Sequence, residues 1–165
     1  MSEPPRDLVI RAAVDADVAT MGVLGALLVK EHYDFDPLRF IATTPGTSHG
    51  YGSYLGGLIG KPEIVLLVAE IAGSVVGYTY AGVEGTDYMA LRGPAGALYD
   101  IIVDPTHRGK GIGKRLLEAT LAELKARGAP RVVLSTAERN AAAQRLFASA
   151  GFRRTMIEMT RELGD

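Results

Sequence analysis

Between Asp104 and Lys114 the chain reads Asp-Pro-Thr-His-Arg-Gly-Lys-Gly-Ile-Gly-Lys. Gly109, Gly111 and Gly113 fall at every second position, directly before an apolar-periodic stretch that predicts a helix. A glycine-rich turn at a helix start leaves backbone N–H groups without intrahelical partners, and the helix dipole adds partial positive charge there. Arg108, Lys110, Lys114 and Arg115 put cationic side chains around the same point. The chemistry that fits is the holding of a phosphate-bearing ligand.

Three phosphate loops compete for this spacing. A Walker A loop needs Gly, four residues, then Gly-Lys-Ser/Thr. Here Arg108 stands where the first glycine belongs and Arg115 where the hydroxyl belongs. A dinucleotide fingerprint needs Gly-x-Gly-x-x-Gly and an acidic residue at the end of the next strand. The glycines are one residue too close, and Glu138 is the nearest carboxylate. The third pattern is Arg108-x-x-Gly111-x-Gly113, after a strand ending Val103-Asp104-Pro105. It resembles the coenzyme A pyrophosphate loop of the GNAT N-acetyltransferase superfamily. Asn140-Ala-Ala-Ala-Gln-Arg-Leu146-Phe147-Ala-Ser-Ala-Gly151-Phe152 resembles a second segment of that family, at a compatible distance. The likeness is close from Ala97 to Phe152 and looser upstream.

The resemblance implies acetyl-CoA as the bound cofactor. Arg108, Gly109, Lys110, Gly111, Ile112, Gly113 and Lys114 would hold its pyrophosphate. The backbone of Ile101, Ile102 and Val103 would pair with the pantetheine arm, and an N–H near Ile102 or Val103 would face the thioester oxygen. Asn140 stands where the family has a polar contact to pantetheine; it is also a natural helix N-cap. The family commonly protonates the leaving thiolate with a tyrosine, and here that position is Phe147.

An acceptor amine must lose a proton before attack, since alkylammonium groups titrate near ~10.4. The family's usual base positions on the strand before the loop are Ala97 and Tyr99 here. Alternation would put both on one face with Ile101 and Val103, and Asp100 on the other. Ala97 is no base. Tyr99 suits positioning a water or substrate better than taking a proton. Asp100 is a better base by chemistry, or a buried hydrogen-bonded carboxylate. His32, expected just after the first helix, is the remaining base candidate.

Two functions follow. One is acetyl-CoA-dependent N-acetylation of a primary amine on a small molecule or peptide. The other is a catalytically degenerate acyl-CoA-binding or sensing domain, which Phe147 would permit. Residues 31–62 and 84–96 would wall the acceptor pocket, and Glu31, Asp34, Asp36, Glu84 and Asp87 there hint at a cationic acceptor.

The 165 residues fit one domain, 1–165, with residues 1–6 loose. A 47% apolar content supplies a core, and a net charge of −1 provides no global field for nucleic acid. With no cysteine there are no disulfides and no thiolate metal ligands, and the three histidines have no metal-ligand spacing. No stretch reads as a membrane span or a secretory signal, so a cytoplasmic protein is expected. A homodimer is open.

The elements that must carry these residues follow from periodicity. Strands are expected at 8–11, 64–71, 75–83, 97–103, 131–135 and 152–163. Helices are expected after Asp15 or Asp17, near 50–59, at 111–127 and after Asn140. A strand, helix, strand unit at 97–135 makes 97–103 and 131–135 parallel. The fold class is mixed α/β: a twisted, GNAT-like mixed sheet of six to seven strands with about four helices.

Overall fold

The computed structural model describes residues 3–164; of the expected loose segment, residues 1–2 lie outside that range. The element order is β1 (Leu8–Ala12), α1 (Val18–Phe35), α2 (Thr47–Gly56), β2 (Ile64–Ile71), β3 (Ser74–Glu84), β4 (Ala95–Val103), α3 (Ile112–Ala126), β5 (Val132–Leu134) and α4 (Ala141–Ser149). The five strands form one sheet in chain order. β1 to β4 are antiparallel neighbours, and β5 is parallel to β4. The β2–β3 hairpin turns at Ala72 and Gly73, both at positive φ, as a twisted two-residue turn requires.

Each face of the sheet has its own core. α3 and α4 cover one, with Leu116, Leu117, Leu124 and Phe147 against Leu67, Ala81, Leu98 and Val103. The apolar side of α3 reads from its sequence at Ile112, Leu116, Leu117 and Leu124, and each of these side chains contributes roughly 1.5–3 kcal/mol on burial. α1 and α2 cover the other face, with Met21, Leu24 and Leu55 against Leu66, Val68, Tyr78, Tyr80 and Ile102. Neither Asp15 nor Asp17 caps α1 through its side chain. Asp17 is instead buried against the Arg11 guanidinium at 2.7 and 3.0 Å, which joins the start of α1 to β1.

Two expectations are corrected here. Among the described residues the sheet has five strands, not the six to seven expected. Residues 152–163, expected as the last strand, form no ladder, and every residue from Arg153 to Gly164 is exposed. A strand exists only with a partner, and β5 is three residues long. Of its apolar residues, Ile157, Met159 and Leu163 share one alternating side and Met156 falls on the other.

Candidate active site

β4 pairs with β5 only at Gly96–Val132, Ala97–Val133 and Leu98–Leu134. Beyond Leu98 the two parallel strands part. The second half of β4 keeps its β3 neighbour and loses its β5 one, which opens a wedge-shaped cleft. His32, Tyr99, Ile101, Asn140 and Phe147 line it. Asp104 donates its N–H to Val76 O at 2.8 Å, across the β3 side. Strand alternation therefore turns the amides of Ile101 and Val103 toward the cleft and that of Ile102 toward β3. Of the two amides expected to face a thioester oxygen, Val103 is on the open side, joined by Ile101 rather than Ile102.

A bulge decides which side chains share a face. Tyr80 opposes Asp100 while Ala81 opposes Leu98, so Tyr99 is the extra residue in β4. Bulges locally shift alternation. Tyr99 therefore does not lie with Ile101 and Val103, as plain alternation predicted. Its ring stacks on Tyr80 at 4.6 Å, on the α1/α2 face that also holds Asp100. The Tyr99 hydroxyl donates to Glu84, which Arg92 also grips. Both contacts hold the Glu84 carboxyl below its ordinary range, while burial and that same carboxylate push the Tyr99 phenol up. A phenol held protonated is a donor, not a base.

Asp100 is buried. Its Oδ2 accepts from Tyr51 Oη at 2.6 Å and Tyr78 Oη at 2.9 Å. Tyr51 reaches it because Gly25 leaves room: a Cβ there would lie 2.2 Å from the Tyr51 ring. Burial raises the Asp100 pKa despite both tyrosine hydroxyls and the nearby His32. A carboxyl raised in the folded state keeps a proton that the unfolded chain has already lost, so stability falls as pH rises above the ordinary aspartate range near ~4. Asp100→Asn cannot titrate. Its melting temperature is therefore expected to gain on the parent as pH rises from about 4. A difference that stays constant with pH would mean Asp100 has an ordinary titration.

His32 lies in the last turn of α1 rather than after it. Its Nδ1 is 2.8 Å from Leu28 O. A carbonyl only accepts, so Nδ1 carries the hydrogen, and in the neutral ring Nε2 presents a lone pair. Edge contacts from Phe35 and Phe40, with ring centroids 6.0 and 5.0 Å away, hold the imidazole plane.

At the other end of the cleft, Gly111 is the N-cap of α3 at φ +73, and the first intrahelical bond runs from Arg115 N–H to Gly111 O. The N–H groups of Ile112, Gly113 and Lys114 precede it and have no intrahelical acceptor. The Ile112 side chain is buried and anchors the helix. Gly113 faces inward, where a Cβ would meet Leu146 and Val103 at 3.6 and 3.9 Å. Lys110 and Lys114 stay exposed at the loop. Gly109 takes its turn at φ +74. Asn140 accepts from Ala143 N–H at 3.1 Å as the cap of α4, while lining the cleft. Phe147 is buried against Phe152 and offers no proton.

Arg108 differs most from expectation. Its Nε donates to Val103 O at 2.8 Å and its Nη2 pairs with Glu31 at 2.8 Å. The side chain clamps the end of β4 to α1, and Glu31 offsets its charge. Arg108→Ala is therefore expected to weaken coenzyme A about tenfold, with most of the loss persisting at high salt. Calorimetry across ionic strength checks this; a loss confined to low salt would make the guanidinium a simple point charge.

Sequence reasoning missed Tyr51, Tyr78, Glu84 with Arg92, and the Glu31–Arg108 clamp. Only the Tyr78-x-Tyr80 alternation on β3 gave any local signal. Among the described residues no group of His, Asp and Glu could hold a metal, and no helix is long and apolar enough to cross a membrane.

The protein is similar over 96 residues to a mycothiol acetyltransferase of Thermobispora bispora, at 42% identity, covering 56% of this chain and 31% of that protein. The chain spans about a third or less of the length of such relatives. A mutant of the Bacillus halodurans BH1408 protein superposes with a TM-score of 0.80 at 22% identity, covering 94% of this chain and 99% of that one. A protein from Clostridium acetobutylicum, described as a predicted acetyltransferase and solved with acetyl-CoA, superposes at 0.72 with 16% identity, covering 94% and 96%. These two likenesses speak for the fold. The family model of the GNAT acetyltransferases matches residues 27–152, which takes in the second half of α1, the cleft, the glycine loop and α4. The chain belongs to the acetyltransferase (GNAT) family.

Proposed function

We propose that the protein is an N-acetyltransferase that moves an acetyl group from acetyl-CoA to a primary amine. The observation that carries this is the pairing of an open β4 edge with an imidazole whose free Nε2 belongs to the same cleft. Acetyl-CoA, when bound, supplies the acetyl group: the amine nitrogen bonds to the thioester carbonyl carbon and the carbon–sulfur bond breaks.

The chain's own residues divide the remaining work. The first-turn amides of α3, with Lys110 and Lys114, take the pyrophosphate. The Ile101 and Val103 amides face the carbonyl oxygen as negative charge develops. His32 Nε2 accepts the amine's proton, directly or through one water. Tyr99 and Glu84 orient the acceptor. With Phe147 inert, the thiolate leaves without a dedicated acid, which a thiol pKa near ~8.5 permits.

The acceptor is a small molecule or peptide amine. The relatives named mycothiol acetyltransferases support a small-molecule acceptor. The test is thioester loss from acetyl-CoA, followed with a thiol reagent across aminoglycosides, polyamines, amino acids and short peptides. Turnover with one class supports the reading. Tight coenzyme A binding without turnover on any amine would favour the degenerate acyl-CoA-binding reading that Phe147 allows.

A further inference from the structure

Three tyrosines stand in a row beside the cleft. Tyr54 comes from α2, Tyr80 from β3 and Tyr99 from β4. The Tyr54 and Tyr80 rings meet edge to face with centroids 6.0 Å apart, and Tyr80 and Tyr99 lie tilted at 4.6 Å. The Tyr54 and Tyr80 hydroxyls bond to each other at 3.0 Å, and the Tyr99 hydroxyl donates to Glu84. Only the middle ring is covered: Tyr80 is 9% exposed, Tyr54 58% and Tyr99 43%. A row built for the core would bury its outer rings. These two are held by their neighbours and left open, and Tyr99 also lines the cleft with His32.

The charge at the end of the row is fixed as well. Arg92 is placed by a two-way backbone bridge to Asp87, at 2.9 and 3.0 Å. Its guanidinium grips Glu84 and lies 3.9 Å from the Asp87 carboxylate. Both carboxyls are held below their ordinary range, Glu84 by Tyr99 and Arg92, Asp87 by the amides of Ala90 and Met89. Two carboxylates share one guanidinium, so the group keeps a net negative charge at neutral pH. Ring faces beside a net negative charge attract cations and disfavour anions. The hydroxyls are largely spent within the row, so a ligand meets ring faces more than hydrogen-bonding groups.

We infer that this row is a subsite for a second, non-reacting cationic nitrogen of the acceptor. The substrate is then a small organic cation that carries a primary amine and, a short chain away, an ammonium group that stays charged. For its reacting end the inference rests on the acetyl-transfer reading above. The two nitrogens need opposite surroundings. The reacting one must be neutral and belongs at His32, while the other keeps its charge over Tyr54 and Tyr99, beside Glu84. Holding the charged end decides which nitrogen enters the reacting position.

The test uses trimethylammonium-propylamine and its carbon isostere, which has tert-butyl in place of trimethylammonium. The two share a shape, and apolar burial alone favours the isostere. Calorimetry on the protein saturated with coenzyme A is expected to show the cation bound about tenfold more tightly. Glu84→Gln and Tyr54→Leu, which replaces a ring already more than half exposed, are each expected to erase most of that preference. Thioester loss from acetyl-CoA is expected to follow the same ratio in kcat/KM. Equal affinity, or tighter binding of the isostere, overturns the inference, and turnover of both amines would then leave acetyl transfer standing. A preference that survives both substitutions also overturns it, because the cation then sits elsewhere. Cation-selective binding that both substitutions erase, without thioester loss, keeps the cation subsite and removes the acetyl-transfer reading.

Discussion

Gly111→Asp is expected to weaken coenzyme A binding on the order of a hundredfold while leaving the protein folded. Gly111 has φ +73 and caps α3. Aspartate tolerates the left-handed region better than most residues and is a good N-cap, so the backbone survives the change. The substituted carboxylate then accepts from the amides of the first turn. It competes with the pyrophosphate for those donors and repels it. Displacing two charge-assisted hydrogen bonds costs about 3 kcal/mol, on the order of a hundredfold in Kd. Gly111→Asn fits the same backbone without the charge and is expected to stay within about tenfold of the parent. Calorimetry with coenzyme A on all three proteins reads both effects. Parental affinity in a folded Gly111→Asp would remove the loop from the cofactor site. Gly113 is not equivalent: its side faces Leu146 and Val103, so Gly113→Asp would bury a charge in the core rather than fill the anion site.

What the sequence revealed of this fold lies where local chemistry dictates geometry. α3 is legible because Ile112, Leu116, Leu117 and Leu124 recur at helical spacing, and Gly128 at φ +85 follows its end. The parallel β4–β5 pair follows from the strand–helix–strand connection, whose helix is long enough to cross over the sheet. The glycine loop is legible because positive φ at 109 and 111 demands glycine.

The site around Tyr99 was not legible, for a definite reason. Nothing in Leu98-Tyr99-Asp100 signals a bulge, because the extra residue is defined by the opposing strand. One inserted residue reverses the side on which Tyr99 lies and brings it beside Tyr80 and Glu84. Arg108 was misread for a similar reason. Its position in the motif suggested phosphate, but Glu31, 77 positions earlier, competes for the guanidinium. The strand expected at 152–163 had the propensity but not the partner.

His32→Gln is expected to lower kcat/KM about 100-fold and to change the shape of its pH dependence. An imidazole accepts a proton only in its neutral form, so the parent's kcat/KM depends on that form and the variant's does not. Glutamine fills the site without titrating. It can donate to Leu28 O in place of Nδ1 and keep the side-chain orientation, so the variant tests proton transfer more than packing. Tyr99→Phe removes only the hydrogen bond to Glu84 and is expected to cost less than tenfold, mostly in KM, because the phenol is held protonated and serves orientation. Were the enzyme merely to select the neutral fraction of the amine, the rate would climb tenfold per pH unit toward the substrate's own pKa in parent and variant alike. Profiles of equal shape and height for parent and His32→Gln would exclude the imidazole. Proton removal would then fall to water ordered in the cleft, since Asp100 is closed off behind Tyr51 and Tyr78.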